Sequence, residues 1–440
     1  MATLHSKWLA LIGSALIGAA SAAFAQDSGP LIDLLVKKGI VNDQEAETLR
    51  AELVKDFAAN TSAGKLNLSS SLAEFKLSGD VRIREQAEWK YNQPTTPTGQ
   101  TFGSDNQDRT RFRFRLNGDV KLQKGWGGGF ALETGSSADS GNESFTNGAA
   151  DYSIYLARAY ISYQPTNEFL VVAGKQRNPY YTTDLLWDAD INPQGFFESY
   201  TFNFDAKNSL ELRVGQWIMK DNSEYSSTTT SAVDSWVFEQ QLVYTSKFGH
   251  GHNFIVAPGV LFYNASNSGT AFTGEAPFNG STRGLKLITL PVEVNFANVL
   301  GAGSQLKVYG DFVHNTEAGT RVYRVYGLSK STVSEDADAW LLGVGYAQGT
   351  GKLQGDWSVK LDYRNIGIGS IDPNINDSDF AFSMLNQKGA KFAASYNLTD
   401  FALANLTFFA TENKRSTLYY SPLSTLGGSK IIQADIVVKF

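Results

Sequence analysis

Five arginines recur at every second position in two early stretches: Arg82 and Arg84 in DVRIRE, and Arg111, Arg113 and Arg115 in RFRFR. A guanidinium is always charged and presents a fork of donors, so a row of them can hold anions, orient water or pair with carboxylates. Acids that can answer them come later, at Asp184, Asp188 and Asp190 within the polar stretch 178–194. Glu133, Arg158 and Arg213 are further candidates for the same polar lining. Nucleophilic or metal chemistry has less to draw on. Beyond residue 25 the histidines are His250, His252 and His314, with no pattern of nucleophile, base and orienter around them. His250 and His252 put two imidazoles on one side of an extended segment, where metal sites usually show three or four ligands. No phosphate loop or dinucleotide fingerprint appears, and there is no cysteine for a disulfide or a thiolate site. The residues therefore predict no catalytic group, no metal and no cofactor, and the net charge of -6 argues against a nucleic-acid partner.

The element that carries the arginines is legible from their neighbours. Along 109–122 the residues Arg111, Arg113, Arg115, Asn117, Asp119 and Lys121 alternate with Phe112, Phe114, Leu116, Gly118, Val120 and Leu122. Successive side chains of a strand point to opposite faces, so this is a strand with one wet and one apolar face. About 9 to 11 tilted residues cross a bilayer as a strand, and the stretch is long enough. An arginine at the bilayer midplane costs about 2 to 4 kcal/mol, so the arginine face must meet water. A soluble antiparallel sheet with its phenylalanines in a core satisfies this one strand equally well. The rest of the chain decides between them.

The 440 residues are 12% aromatic with 41 glycines, and the mean hydropathy is -0.23. That profile excludes a helical membrane protein and permits a barrel in which every second residue is apolar. Residues 1–25 read as a signal peptide, with Lys7 before an apolar run over 8–20 and Ala23-Phe24-Ala25 as a cleavage site. Residues 26–64 take helical spacing instead. Pro30 opens a first helix with Leu31, Leu34 and Leu35 on one face, and Lys37, Lys38 and Gly39 close it. Asn42 and Glu45 have the spacing of a capping box, followed by Ala46, Leu49, Leu53 and Phe57. The expectation is a short helical hairpin in the periplasm whose apolar stripe docks on the barrel rim, a second copy or another envelope partner. A solvated leader helix that only acts as a spacer fits the same residues.

From 65 to 440 strand-like runs fill the chain, and their connections alternate in length. Strands are expected near 75–91, 109–122, 126–134, 155–163, 168–176, 195–204, 210–219, 236–245, 253–262, 285–296, 305–312, 339–347, 356–364, 389–396, 403–411 and 430–440. Tight turns such as 123–125 and 164–167 alternate with long polar segments such as 221–234 and 315–338. Open strand edges cannot survive in lipid, so the strands must close on themselves. The fold expected is an all-β membrane protein: a closed antiparallel up-and-down transmembrane β-barrel of about sixteen strands, with the helical hairpin before it. Barrels of this size leave an aqueous lumen unless a loop or helix plugs it.

The last strand, KIIQADIVVKF, ends the chain on Phe440. A final strand with a terminal phenylalanine resembles the assembly signal of bacterial outer-membrane barrels. The arrangement of export signal, short helical segment, sixteen strands and early arginine-rich strands resembles the outer-membrane porins of Gram-negative bacteria. The resemblance implies an outer-membrane location within lipid, a homotrimer, and passive diffusion of small hydrophilic solutes and ions through a water-filled channel. In that family the third long loop folds into the barrel, which would set Asp184, Asp188 and Asp190 against the arginine wall; the same loop lying outside would leave them solvated. Other readings stay open: a substrate-specific channel for a sugar or an anion, and, in another class, a barrel enzyme or a structural or adhesive barrel. Tyr180, Tyr181, Trp187, Phe196, Phe197 and Tyr200 fit either a girdle at the membrane interface or rings that stack a sugar in the pore.

Overall fold

The computed structural model describes residues 35–38, 41, 42, 44–50, 52, 69–94, 102–135, 140–146, 148–220, 234–264, 282–331, 334–415 and 427–440. The signal-peptide stretch 1–25 and the stripe residues Leu31, Leu34 and Leu53 lie outside the described residues.

The alternation seen in the sequence becomes an inside-out burial pattern. On the first strand, Leu72–Pro94, the side chains of Asp80, Arg84, Gln86 and Glu88 are buried, whereas Leu77, Val81 and Ile83 are exposed. The last strand, Gly428–Lys439, repeats this, with Gln433 and Asp435 buried and Ile432 and Ile436 exposed. A soluble sheet hides the opposite set. The apolar outer face belongs in lipid, and the polar inner face lines an enclosed lumen.

Sixteen strands make the barrel. After the first come Phe102–Leu122, Trp126–Thr134, Ile154–Tyr163, Phe169–Lys175, Gln194–Asn203, Asn208–Lys220 and Ser235–Phe248. The ninth and tenth are each broken in two, His252–Val256 with Gly259–Tyr263 and Lys286–Thr289 with Val292–Ala297. Ser304–Asn315, Asp338–Gln348, Trp357–Ile366, Gln387–Asn397, Ala402–Asn413 and the last strand complete the circuit. The breaks fall at Pro258 and Pro291, which have no N–H to give to the ladder. Both prolines still accept through their carbonyls, from Leu242 N–H at 3.0 Å and from Ala257 N–H at 2.9 Å.

Neighbours in sequence pair antiparallel, and the first strand also pairs with the last, from Asp80 opposite Lys439 to Tyr91 opposite Gly428. The ring is thereby closed and no edge is left to lipid. Short turns such as Gln123–Gly125 sit at one end and long segments such as 135–153, 176–193, 316–337 and 367–386 at the other. Next to the short turns, Trp126 packs on Tyr163 at 4.8 Å and Trp357 on Tyr346 at 5.3 Å, with both tryptophans exposed, as expected of an interfacial girdle.

The apolar core lies inside the ring. Leu185, Leu186 and Ile191 from 176–193, Val322 from 316–337, and Ile368, Ile371, Ile375 and Leu385 from 367–386 cluster with the inward-facing Trp217, Val237, Leu287 and Leu341. Each such side chain contributes about 1.5–3 kcal/mol when fully buried, enough to draw these segments into the lumen.

The chain divides into two units, 1–69 and 70–440. In the first, residues 44–50 are helical. Glu45 N–H donates to Asn42 Oδ1 at 2.8 Å and Asn42 N–H donates to Glu45 Oε2 at 3.0 Å, the reciprocal capping box that the spacing predicts.

A charged constriction as the candidate functional site

Two long segments meet inside the barrel. The first, 176–193, is tied down along its length. Arg213 donates to Pro179 O at 2.7 Å, and the Tyr180 hydroxyl donates to Glu239 O at 2.8 Å. Tyr181 N–H donates to Gln241 Oε1 at 2.9 Å, and Gln241 Nε2 donates back to Tyr181 O at 2.8 Å. Thr183 Oγ1 donates to Asp311 and Trp187 Nε1 to Glu239, at 2.8 and 3.1 Å. Glycine is required at 215, because a Cβ there would stand 2.1 Å from the Tyr180 hydroxyl. This segment therefore crosses the lumen, and Asp184 reaches the opposite wall. There its Oδ2 lies 2.7 Å from Lys391 Nζ and 3.5 Å from Arg364 Nη2.

The second segment, 367–386, locks onto the first. Ser378 donates from both N–H and Oγ to Asp188 Oδ2, at 2.9 and 3.0 Å, and Asp188 N–H donates to Ile375 O at 2.6 Å. Arg364 is wholly buried beneath it and donates to Asp377 at 2.7 Å and Asp362 at 3.0 Å, with the Phe380 ring 4.8 Å away.

Facing both segments is the arginine wall. Strand register sets Arg82 opposite Arg113 and Arg84 opposite Arg111, pairings of like charge that repel unless offset. Acids on the same wall offset them. Arg84 grips Asp435 with two bonds at 2.7 and 3.0 Å, and Asp80 accepts from Arg113 at 3.0 Å and from Arg115 at 2.8 Å. Arg82 bonds Asn142, and Arg111 donates to Gln86 and to Asn142 O, each at 3.3 Å. Across the gap the contacts are looser, with Arg84 3.8 Å from Asp379 and Arg113 3.9 Å from Asp190. Between the walls is a polar space of about 130 Å³ lined by Arg82, Arg84, Arg113, Asp184, Asp188, Asp190, Asp377, Asp379 and Lys391.

Electrostatics separate the two central acids. Lys391 beside it holds the Asp184 carboxyl well below the usual carboxylate range. Burial, with Asp377 and Asp190 nearby, pushes Asp188 up to about 9 against the bonds from Ser378 and Asp190 N–H, so this carboxyl is neutral at pH 7.

Of the residues singled out in the sequence, Arg82, Arg84, Arg113, Asp184, Asp188 and Asp190 line this one space. Glu133 shares an adjoining space with Asp190 and Lys175. Arg111 stands beside Asn142, Arg115 is taken up by Asp80, Arg158 bonds Asn117, and Arg213 anchors the base of the first segment. Asp184 lines this space but takes its ion pairs from the far side, with Lys391 and Arg364. The aromatic cluster divides between two places. Tyr180, Trp187 and Phe197 are buried in the lumen core, while Phe196 and Tyr200 are exposed on the outer face. Sequence reading missed Asp377, Ser378 and Asp379 entirely. Their signal was Ile368, Ile371, Ile375, Phe380 and Phe382, five large apolar residues in what would otherwise be a solvent loop. Among the described residues no group of three or more His, Asp or Glu side chains is placed to hold a metal ion.

A closed antiparallel barrel of sixteen strands, narrowed by inward-folded loops, is the fold of the porins, and it implies an outer-membrane setting. In sequence, residues 88–272 match the family described as "Putative porin". In structure the chain is similar to Pseudomonas putida OprB in its high-pH form, with a TM-score of 0.50 and 9% identity over 83% of this chain and 94% of that one. Salmonella typhi OmpF in complex with daunomycin gives a TM-score of 0.47 and 13% identity over 85% of this chain and 99% of that one. No curated protein matches the chain.

Proposed function

We propose that the protein is an outer-membrane channel through which small hydrophilic solutes and ions diffuse passively, with the charged gap as its narrowest point. One observation carries this reading: two long segments are anchored inside the ring and hold Asp190 and Asp379 within 4 Å of Arg113 and Arg84. Charge on both sides keeps the passage wet, and a solute without polar groups would have to displace strongly held water. The same reading takes residues 1–25 as a cleaved export signal, residues 26–64 as a periplasmic helical segment with its own partner, and residues 65–440 as the barrel, assembled as a homotrimer. The A-x-A site, the Asn42–Glu45 cap and the resemblance to porins support these parts in turn. Phe440 serves as the assembly signal.

The test is a planar-bilayer recording of the purified full-length protein. Ohmic current steps, in groups of three for a trimer, are expected. A folded, heat-modifiable protein that inserts and passes no current would overturn the channel reading, and single steps would overturn the trimer.

A further inference from the structure

We infer that the outer face of the sixth, seventh and eighth strands is where a second copy of this chain docks in the membrane. This rests on the homotrimer proposed above and names its contact face. Alternation puts Glu198, Gln216 and Gln240 on the outer face, because their neighbours Phe197, Trp217, Glu239 and Gln241 are buried inside. Register brings the three together. Glu198 and Gln240 stand opposite Val214 from the two flanking strands, and Gln216 is the next outward residue after Val214 on its own strand. Glu198 is the fifth of the ten residues of Gln194–Asn203, so its carboxyl sits at mid-span, with the exposed Phe196 and Tyr200 on either side.

Acyl chains offer no hydrogen bonds, and among the described residues none of these three side chains has a hydrogen-bond partner. Glu85 is also turned outward, but it already accepts from Thr110 Oγ1 at 2.7 Å. On the twelfth to fourteenth strands the mid-strand row is apolar instead, with Val344, Leu361 and Phe392 side by side and exposed. A carboxyl and two amides in place of such a row are unfavourable in lipid and tolerated against protein. The wall is also low here. The adjoining fifth strand, Phe169–Lys175, has 7 residues, fewer than the about 9 to 11 that cross a bilayer. What this polar island lacks, a copy of it supplies: a carboxylate accepts and an amide donates. Copies meeting around a threefold axis set the Glu198 carboxyl of each against the glutamine amides of the next.

The chain has no cysteine, so Val214→Cys puts a single thiol at the centre of the island and leaves its three polar side chains in place. Leu361→Cys puts one on the apolar row of the thirteenth strand as a control. Outer membranes holding each full-length variant are treated with a short bifunctional methanethiosulfonate. The untreated protein is purified in mild detergent and its mass taken by light scattering. A trimer mass is expected for both variants, with most of the Val214→Cys protein cross-linked into pairs of this chain and almost none of the Leu361→Cys protein. A trimer mass with no cross-linking at 214, or with equal cross-linking at both positions, overturns the docking face and leaves the trimer standing. Cross-linking of 214 to a different protein, read by mass spectrometry, overturns the second copy as occupant. A monomer mass overturns the trimer and this inference with it.

Discussion

Asp184 Oδ2 lies 2.7 Å from Lys391 Nζ, which joins a segment that leaves the wall at the fifth strand to the fourteenth strand across the lumen. The pair marks the end of a crossing held by Tyr180, Gln241, Thr183 and Trp187 on the way. Because Asp188 is then latched to Ser378, the two infolded segments act as one body, and the acids they present to the arginine wall have fixed positions.

Arg364 is the keystone of the far side, since it is 1% exposed and touches Asp362, Asp377 and Asp184. Replacing it with methionine leaves buried carboxylates without their cation, which costs about 3–5 kcal/mol. The urea midpoint of the heat-modifiable band should fall markedly for Arg364→Met and less for Lys391→Met, whose side chain is 20% exposed. Equal midpoints for the two variants would show that burial does not set the difference.

Gly215 and Tyr180 form a tight packing pair. A methyl group at 215 collides with the Tyr180 hydroxyl and should destabilise the barrel by about 1–3 kcal/mol, with noisier open-channel current. Adding Tyr180→Phe removes the nearest atom that the methyl meets and leaves only the Trp217 ring, 2.7 Å away, so the double variant should lose less than the sum of the two single losses. A double-mutant cycle with additive losses would place the strain elsewhere.

The latch also has a pH dependence whose sign follows from Asp188. Its pKa is raised from the ordinary 3.8 to about 9, so the stability this proton contributes is fully present below the unfolded value and is lost as pH rises through about 9. Above that, a charged Asp188 repels Asp377 and Asp190. Current noise should rise between pH 8 and pH 10 (roughly one unit either side of that pKa) and fall back on return. The Asp188→Asn variant should show no such rise; if it shows the same rise, another group is responsible.

At the closure, Gly79 N–H donates to Phe440 O at 2.8 Å and Phe440 N–H donates to Gly79 O at 3.0 Å, while Phe440 as a residue is 59% exposed. A ring on the outer face adds little to the core, so deleting Phe440 should impair assembly in cells far more than it lowers the urea midpoint of protein refolded in detergent. Normal surface levels of the deletion variant would remove its role as a signal.

The strands were legible because lipid outside and water inside impose a period of two on each crossing, as Arg82 to Ile83 and Arg113 to Phe114 illustrate. The interruptions at Pro258 and Pro291 were not, since the alternation of side chains continues through them and only the missing N–H groups break the ladder. Within the site, inward direction could be read for Arg82, Arg84 and Arg113 because parity fixes it. The partners of Asp184 and Asp188 could not, because a loop has no period and its destination depends on contacts with Lys391 and Ser378, each about 200 residues away in sequence.

If the charged gap is the narrowest point of a conducting path, bulk added at Asp379 must obstruct it. The chain has no cysteine, so Asp379→Cys introduces a single reactive thiol. Single-channel current is recorded while a bulky, water-soluble methanethiosulfonate is added, and mass spectrometry confirms the modification. A stepwise loss of about half the conductance or more is expected, because added bulk at a constriction obstructs the path. Full modification with unchanged conductance would contradict it.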